Sequence, residues 1–172
     1  DLARQQFSAA QTMTERQAAL AVLVALGGEA ADEALAAFHA RFKDDALVLD
    51  KWFGVQASAP RLDTIEVVER LAGHPDFTLA NPNRLRALVG SFASTPYAFH
   101  RPDGRGYAFL ADMIVKADAL NPQTAARFVA PLGRWRKLEP GRAARMREAL
   151  ERILASPGLS KDVFEQASKS LA

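Results

Sequence analysis

Three kinds of residue in this chain could carry chemistry: histidines, arginines and paired carboxylates. The histidines are His39, His74 and His100. No two of them stand at the i, i+4 spacing that sets two imidazoles on one helical face for a metal, and no His-Glu-x-x-His occurs. Each therefore reads as structural, with His100 placed to bond a loop carbonyl, and no metal ligand is expected within the chain. The carboxylate pairs Asp32-Glu33 and Asp44-Asp45 lack a neighbouring histidine. They suit helix N-termini, where negative charge complements the helix dipole. Gly104-Arg105-Gly106 begins like a phosphate loop, but Phe109 stands where the third glycine would be and no strand precedes it. A tight turn and a close helix approach account for both glycines. Cysteine is absent, which excludes disulfides, thiolate metal sites and cysteine nucleophiles, and suits a reducing compartment such as the cytoplasm.

The arginines are less easily dismissed. Arg84 and Arg86 fall in the first turns of an expected helix, and Arg127 falls early in another. A cation near a helix N-terminus opposes the dipole, so local helix stability does not explain this placement. A tertiary salt bridge, an ordinary surface position and bidentate binding of a ligand carboxylate all remain open on local grounds.

Helical periodicity dominates the elements that must position these residues. Thr14-Glu15-Arg16-Gln17 fits a capping box at the start of a helix that ends at Gly27-Gly28. A second helix is expected over about 29–42, with Leu35, Phe38 and Phe42 on one face. Asp44 or Asp45 caps a third, carrying Leu47, Leu49, Trp52 and Phe53, in which the tryptophan reads as a core or interface anchor. Asp63 caps a helix to about Ala72, and His74-Pro75 marks a turn. Asn81-Pro82 opens the next helix, with Leu85, Leu88, Val89 and Phe92 as its buried stripe. Thr95-Pro96 starts a short turn of helix to His100. Gly104 to Gly106 feeds a helix bearing Tyr107, Leu110, Met113 and Ile114. Asn121-Pro122 opens a helix expected to reach Trp135, Pro140 opens a charged helix to about Ala155, and Ser160 caps the last.

No strand is expected. The fold class read from this pattern is all-α, an irregular solenoid of antiparallel helix pairs of the HEAT or armadillo kind. The Asn81 and Asn121 starts lie 40 residues apart, which sets Leu88 against Phe128 and Val89 against Val129. At 172 residues the chain suits one domain, 1–172. No stretch approaches the roughly 20 apolar residues of a membrane span. The opening Asp1-Leu2-Ala3-Arg4-Gln5 reads as mid-helix, so a piece of a longer polypeptide is expected.

Net charge is +2, but residues 1–83 hold 7 Lys/Arg against 12 Asp/Glu, whereas residues 84–152 hold 13 against 6. The basic middle fits either solvated helix faces or a surface for an anionic partner.

Several stretches together resemble the C-terminal helical domain of the bacterial aminopeptidase N (alanyl aminopeptidase) family of gluzincin zinc metallopeptidases. They are Met13-Thr14-Glu15-Arg16, Asp50-Lys51-Trp52-Phe53, Asn81 to Arg86, Phe99-His100 with Gly104 to Tyr107, Asn121-Pro122-Gln123 with Ala126-Arg127, Leu159 to Asp162, and the terminal Leu171-Ala172. The resemblance covers essentially the whole chain. It implies that the zinc ligands and the general-base glutamate lie upstream, outside this chain, and that the chain itself is non-catalytic. It further implies that this domain caps the catalytic domain of the same polypeptide, encloses the active-site chamber and restricts peptide access. Arg86 and Arg127 match chamber-lining arginines that attract the C-terminal side of a bound peptide. Nucleic acid and membrane partners are not expected from it. Two other readings stand beside it: a free-standing helical-repeat scaffold for a partner protein, and a basic nucleic-acid module using residues 84–152.

Overall fold

The computed structural model describes residues 2–172 of the chain. Among them every regular element is helical. In order they are α1 (Leu2–Ala9), α2 (Met13–Leu26), α3 (Glu29–Phe42), α4 (Ala46–Ala57), α5 (Thr64–Ala72), α6 (Pro82–Leu85), α7 (Ser91–Ala93), α8 (Pro96–Phe99), α9 (Arg105–Asp118), α10 (Pro122–Arg127), α11 (Pro140–Leu154) and α12 (Lys161–Leu171). A π-helical segment, Arg86–Gly90, joins α6 to α7, and a 3₁₀ segment, Leu132–Lys137, follows α10. Packing runs mainly between sequence neighbours, α1 on α2, α2 on α3, α3 on α4 and α4 on α5, and then α9 on α10 and α11 on α12. α9 joins the two halves by packing on α5, α8, α10 and α11. No described helix is long and apolar enough to cross a membrane.

Most of the starts follow the expected side-chain chemistry. The Asp45 carboxylate accepts from the amides of Leu47 and Val48, at 3.0 and 3.2 Å, and so caps α4. Asn81 and Asn121 cap α6 and α10 through their amide oxygens, each with proline at the first helical position. Ser160 caps α12 by accepting from Val163 N, while its hydroxyl and amide both donate to the buried carboxylate of Asp118 at the end of α9.

Three expectations need correction. The capping box at α2 is formed by Thr12 and Glu15 rather than Thr14 and Gln17. Both pairs fit the spacing, but the Glu15 carboxylate carries charge and takes the amides of Gln11 and Thr12, each at 2.9 Å. Asp63 occupies the cap position of α5 without capping it, because its carboxylate is taken by a two-pronged pair with Arg61. The helix from Pro122 stops at Arg127 rather than Trp135. Pro131 has no amide to offer the Arg127 carbonyl and disfavours helical geometry at Ala130, so the chain turns and resumes as a 3₁₀ segment. This also explains why the 40-residue echo is incomplete. Val89 and Val129 are both buried, but the elements that carry them differ.

Aromatic side chains fill the core around the start of α9. Phe92, Phe99 and Tyr107 are fully buried, and Phe109 packs edge-on against Phe92 with centroids 5.7 Å apart. Phe99 meets Tyr107 edge-on at 5.2 Å. Gly106 makes this packing possible, since a Cβ there would lie 2.6 Å from the Phe99 carbonyl oxygen and 3.2 Å from the Phe92 ring. Gly54, inside α4, has only ordinary neighbours, the nearest at 3.5 Å. Gly106→Ala should therefore destabilise the fold by about 1–3 kcal/mol. Gly54→Ala should stabilise it by about 0.5–1 kcal/mol, through reduced freedom of the unfolded chain. Urea denaturation of the two variants checks both signs.

Candidate functional site

Arg84 and Arg86 are two positions apart, but the fold separates their roles. The Arg84 side chain is 6% exposed. Its guanidinium pairs with Asp50 of α4, donates to the Asp76 carbonyl oxygen, and lies 5.0 Å from the Phe53 ring centroid. That tertiary partnership resolves its placement against the dipole. Arg86 is exposed, and among the described residues its side chain donates only to Asn83 Oδ1, at 3.1 Å.

Arg127 is also exposed, at the end of α10. It borders a shallow depression of about 380 Å³ that Asp162 and Glu165 share. The segments bearing Arg86 and Arg127 meet at Gly90. A Cβ there would lie 3.3 Å from both Arg86 Cγ and the ring of Phe128, which follows Arg127. Gly90 is also the last residue of the π-helical segment, a geometry that widens the helix by one residue per turn and recurs at functional sites. No sequence signal pointed to it.

The basic middle of the chain is largely engaged internally. Arg105 pairs with Glu66 and Glu69, and Arg101 with Glu66 and Asp103. Arg142 donates to the His100 carbonyl at 2.6 Å, and Arg145 to the Asp103 carbonyl at 3.1 Å. Arg152 pairs with Asp112. The acids of α5 and the arginines around α9 thus answer one another across the two halves. The exposed pairs each contribute little, but together they fix the 100–104 loop.

His100 departs from expectation. It bonds the Tyr107 hydroxyl at 2.9 Å rather than a loop carbonyl. Burial holds the imidazole below its ordinary value, helped by the Arg142 charge. Burial also pushes the Tyr107 phenol up to about 12. Both groups are therefore neutral near pH 7, and a single hydrogen bond joins the phenol oxygen to the imidazole Nδ1. Trp52 and Trp135 act as anchors, their indole N–H groups donating to the carbonyls of Leu35 and Ser170 at 3.0 and 2.9 Å.

The fold also assembles a group that sequence spacing concealed. His39 from the last turn of α3 meets His74 and Asp76 from the connection after α5. His39 Nε2 lies 2.7 Å from Asp76 Oδ2, and His74 Nδ1 lies 3.7 Å from the same oxygen. The His39 bond holds the Asp76 carboxyl below its usual range, with both histidines and Arg84 adding to the effect. The only local hint was the two-residue spacing of His74 and Asp76. The third member comes from 35 positions upstream.

A family model described as a domain of unknown function (DUF3458_C) with ARM repeats matches residues 1–172, and the chain belongs to this family of helical-repeat domains. Within that class it corresponds to the C-terminal domain of bacterial aminopeptidases. It is 54% identical to Aminopeptidase N of Caulobacter vibrioides over 166 residues, which is 96% of this chain and 19% of that protein. Aminopeptidase N of Haemophilus influenzae and of Escherichia coli match over 172 residues at 41% and 40% identity, each across 99% of this chain and 20% of the relative. The solved structure of Legionella pneumophila aminopeptidase A in complex with aspartic acid superposes with a TM-score of 0.94 at 38% identity, over 99% of this chain and 20% of that one. The chain thus spans about a fifth of the length of the relatives it matches.

Three predictions come from this geometry. Removing either member of the Arg84–Asp50 pair leaves a largely buried charge without its partner. Arg84→Met or Asp50→Leu alone should destabilise by about 3–5 kcal/mol, and the double substitution by distinctly less than the sum, in a denaturation-based double-mutant cycle. The Tyr107 phenol, held protonated by the fold, stabilises fully below its ordinary value of 10, and this contribution is lost as pH rises through about 12. Tyr107→Phe should remove this alkaline loss, of order 2 kcal/mol, together with the high-pH step in ultraviolet titration. His100 has the opposite sign. Its contribution is present above 6.5 and fades as pH falls below it, so His100→Gln should flatten that acid-side decline.

Proposed function

We propose that this chain, acting as one helical domain, is the non-catalytic C-terminal part of a zinc-dependent aminopeptidase that removes N-terminal residues from peptides. The observation that carries this reading is the match, over nearly the whole chain, to about a fifth of proteins named Aminopeptidase N. The chain has no His-Glu-x-x-His, so a zinc-activated water and its general base belong to the part of the polypeptide outside it. In this reading the array packs against the catalytic domain, encloses its chamber and limits which peptides enter. Exposed apolar residues offer area for that intramolecular contact. Leu62 and Tyr97, which share an open depression of about 810 Å³ with Leu138, are examples.

Arg86 and Arg127 are the chamber-facing groups of this proposal. Both are exposed, neither is held by a carboxylate among the described residues, and their segments touch at Gly90. A guanidinium is suited to a peptide carboxylate because its planar donors match both oxygens. The nucleic-acid reading loses support because so many arginines of the 84–152 region are paired with acids or carbonyls of the chain itself. In the full-length enzyme, Arg86→Ala and Arg127→Ala should each lower kcat/KM on di- and tripeptides by about 10- to 100-fold, the worth of one charge-assisted hydrogen bond. Unchanged kinetics in both variants would remove the chamber role. Peptide turnover by the 172-residue chain alone would contradict its non-catalytic assignment.

A further inference from the structure

We propose that His39, His74 and Asp76 form a binding site for one divalent transition-metal ion of the zinc class. Two imidazoles and one carboxylate are a donor set that such ions accept, and three protein ligands leave a position for water. The candidate donor atoms all lie within 4.8 Å of one another. In a tetrahedral site with metal bonds of about 2.0–2.2 Å, neighbouring donors stand about 3.3–3.5 Å apart. The His39–Asp76 separation of 2.7 Å must therefore open slightly, and the His74–Asp76 separation of 3.7 Å must close slightly. Both adjustments lie within side-chain rotation.

The surroundings favour a prepared site over a chance meeting. His39 packs on Trp52 with centroids 4.7 Å apart, and His74 packs on Trp52 at 5.2 Å and on Phe53 at 5.9 Å. Trp52 is itself fixed by its bond to the Leu35 carbonyl. Rings held in this way lose little freedom on binding an ion. The three side chains are 24%, 28% and 36% exposed, so an ion and a water ligand can reach them. The nearest cation, Arg84, is paired with Asp50, which leaves the Asp76 carboxylate to offset the ion's charge.

Binding would replace two present interactions. The ion takes the place of the proton shared by His39 and Asp76, and it takes the His74 Nδ1 lone pair that now accepts from the Asp76 amide at 3.1 Å. Each imidazole must ligate through a nitrogen that carries no proton, so the proton between His39 and Asp76 leaves Nε2 and the neutral ring carries it on Nδ1. The consequence is mechanical. The ion would tie the end of α3 to the connection that leads into α6, the element bearing Arg84.

The test counts metal on the full-length polypeptide that contains this chain, after equilibrium dialysis against micromolar Zn²⁺. The wild type should retain one more ion per chain than the His39→Gln/His74→Gln double variant. The shape-conserving Asp76→Asn should weaken retention of that ion by at least about tenfold. Unfolding midpoints measured without metal show whether each variant is folded. Zn²⁺ should raise the wild-type midpoint by more than it raises that of the double variant. Equal metal counts in the wild type, the double variant and Asp76→Asn would overturn the proposal. These readouts are independent of peptide kinetics, so the site and the chamber role can fail separately.

Discussion

The buried guanidinium of Arg84 is the interaction on which most of the first half depends. It joins three elements that are far apart in sequence, namely Asp50 on α4, the Asp76 carbonyl in the long connection, and its own helix. The Phe53 ring beneath it excludes water and makes the unpaired state expensive. α6 itself starts where the Asn81 side chain caps it. The 74–80 connection is drawn against α3 and α4, and that placement brings His74 and Asp76 to His39. Arg86, two positions on, then points away from the core with its guanidinium at the surface.

The second half is organised around α9 and the loop before it. Gly104 turns the chain at φ 74°, and Gly106 lets α9 approach the Phe99 backbone closely. Arginines from α11 bond the loop carbonyls, and the arginines at positions 101 and 105 reach back to the acids of α5. The uneven charge along the sequence is thereby turned inward as a connection between halves. Repeat arrays contact mainly their neighbours, and a polar belt of this kind supplements the continuous apolar core.

Much of the fold was legible because helix boundaries are local events. Asp45, Asn81, Asn121 and Ser160 cap as their types and positions dictate, and the buried stripe of Leu85, Leu88, Val89 and Phe92 follows from helical spacing. Failures arose where two local solutions competed. Thr12 and Thr14 both satisfy a capping-box spacing, and the charged partner decided for Thr12. Asp63 could serve its helix or Arg61, and the ion pair prevailed. The π-helical segment Arg86–Gly90 left no mark in the sequence, whose spacing there fits an ordinary helix.

The site divides in the same way. The sequence by itself determined an all-helical repeat, the position of most helix starts, and the residues that bring this chain into its family, since all of these depend on short-range spacing or on the order of residues. Only the tertiary structure decided which arginine is buried and which is free, that His100 serves Tyr107, and that His39 stands beside His74 and Asp76. Those outcomes depend on atoms brought together across 7 to 37 positions of chain, where the balance of desolvation, pairing and packing is set by partners that local spacing does not name.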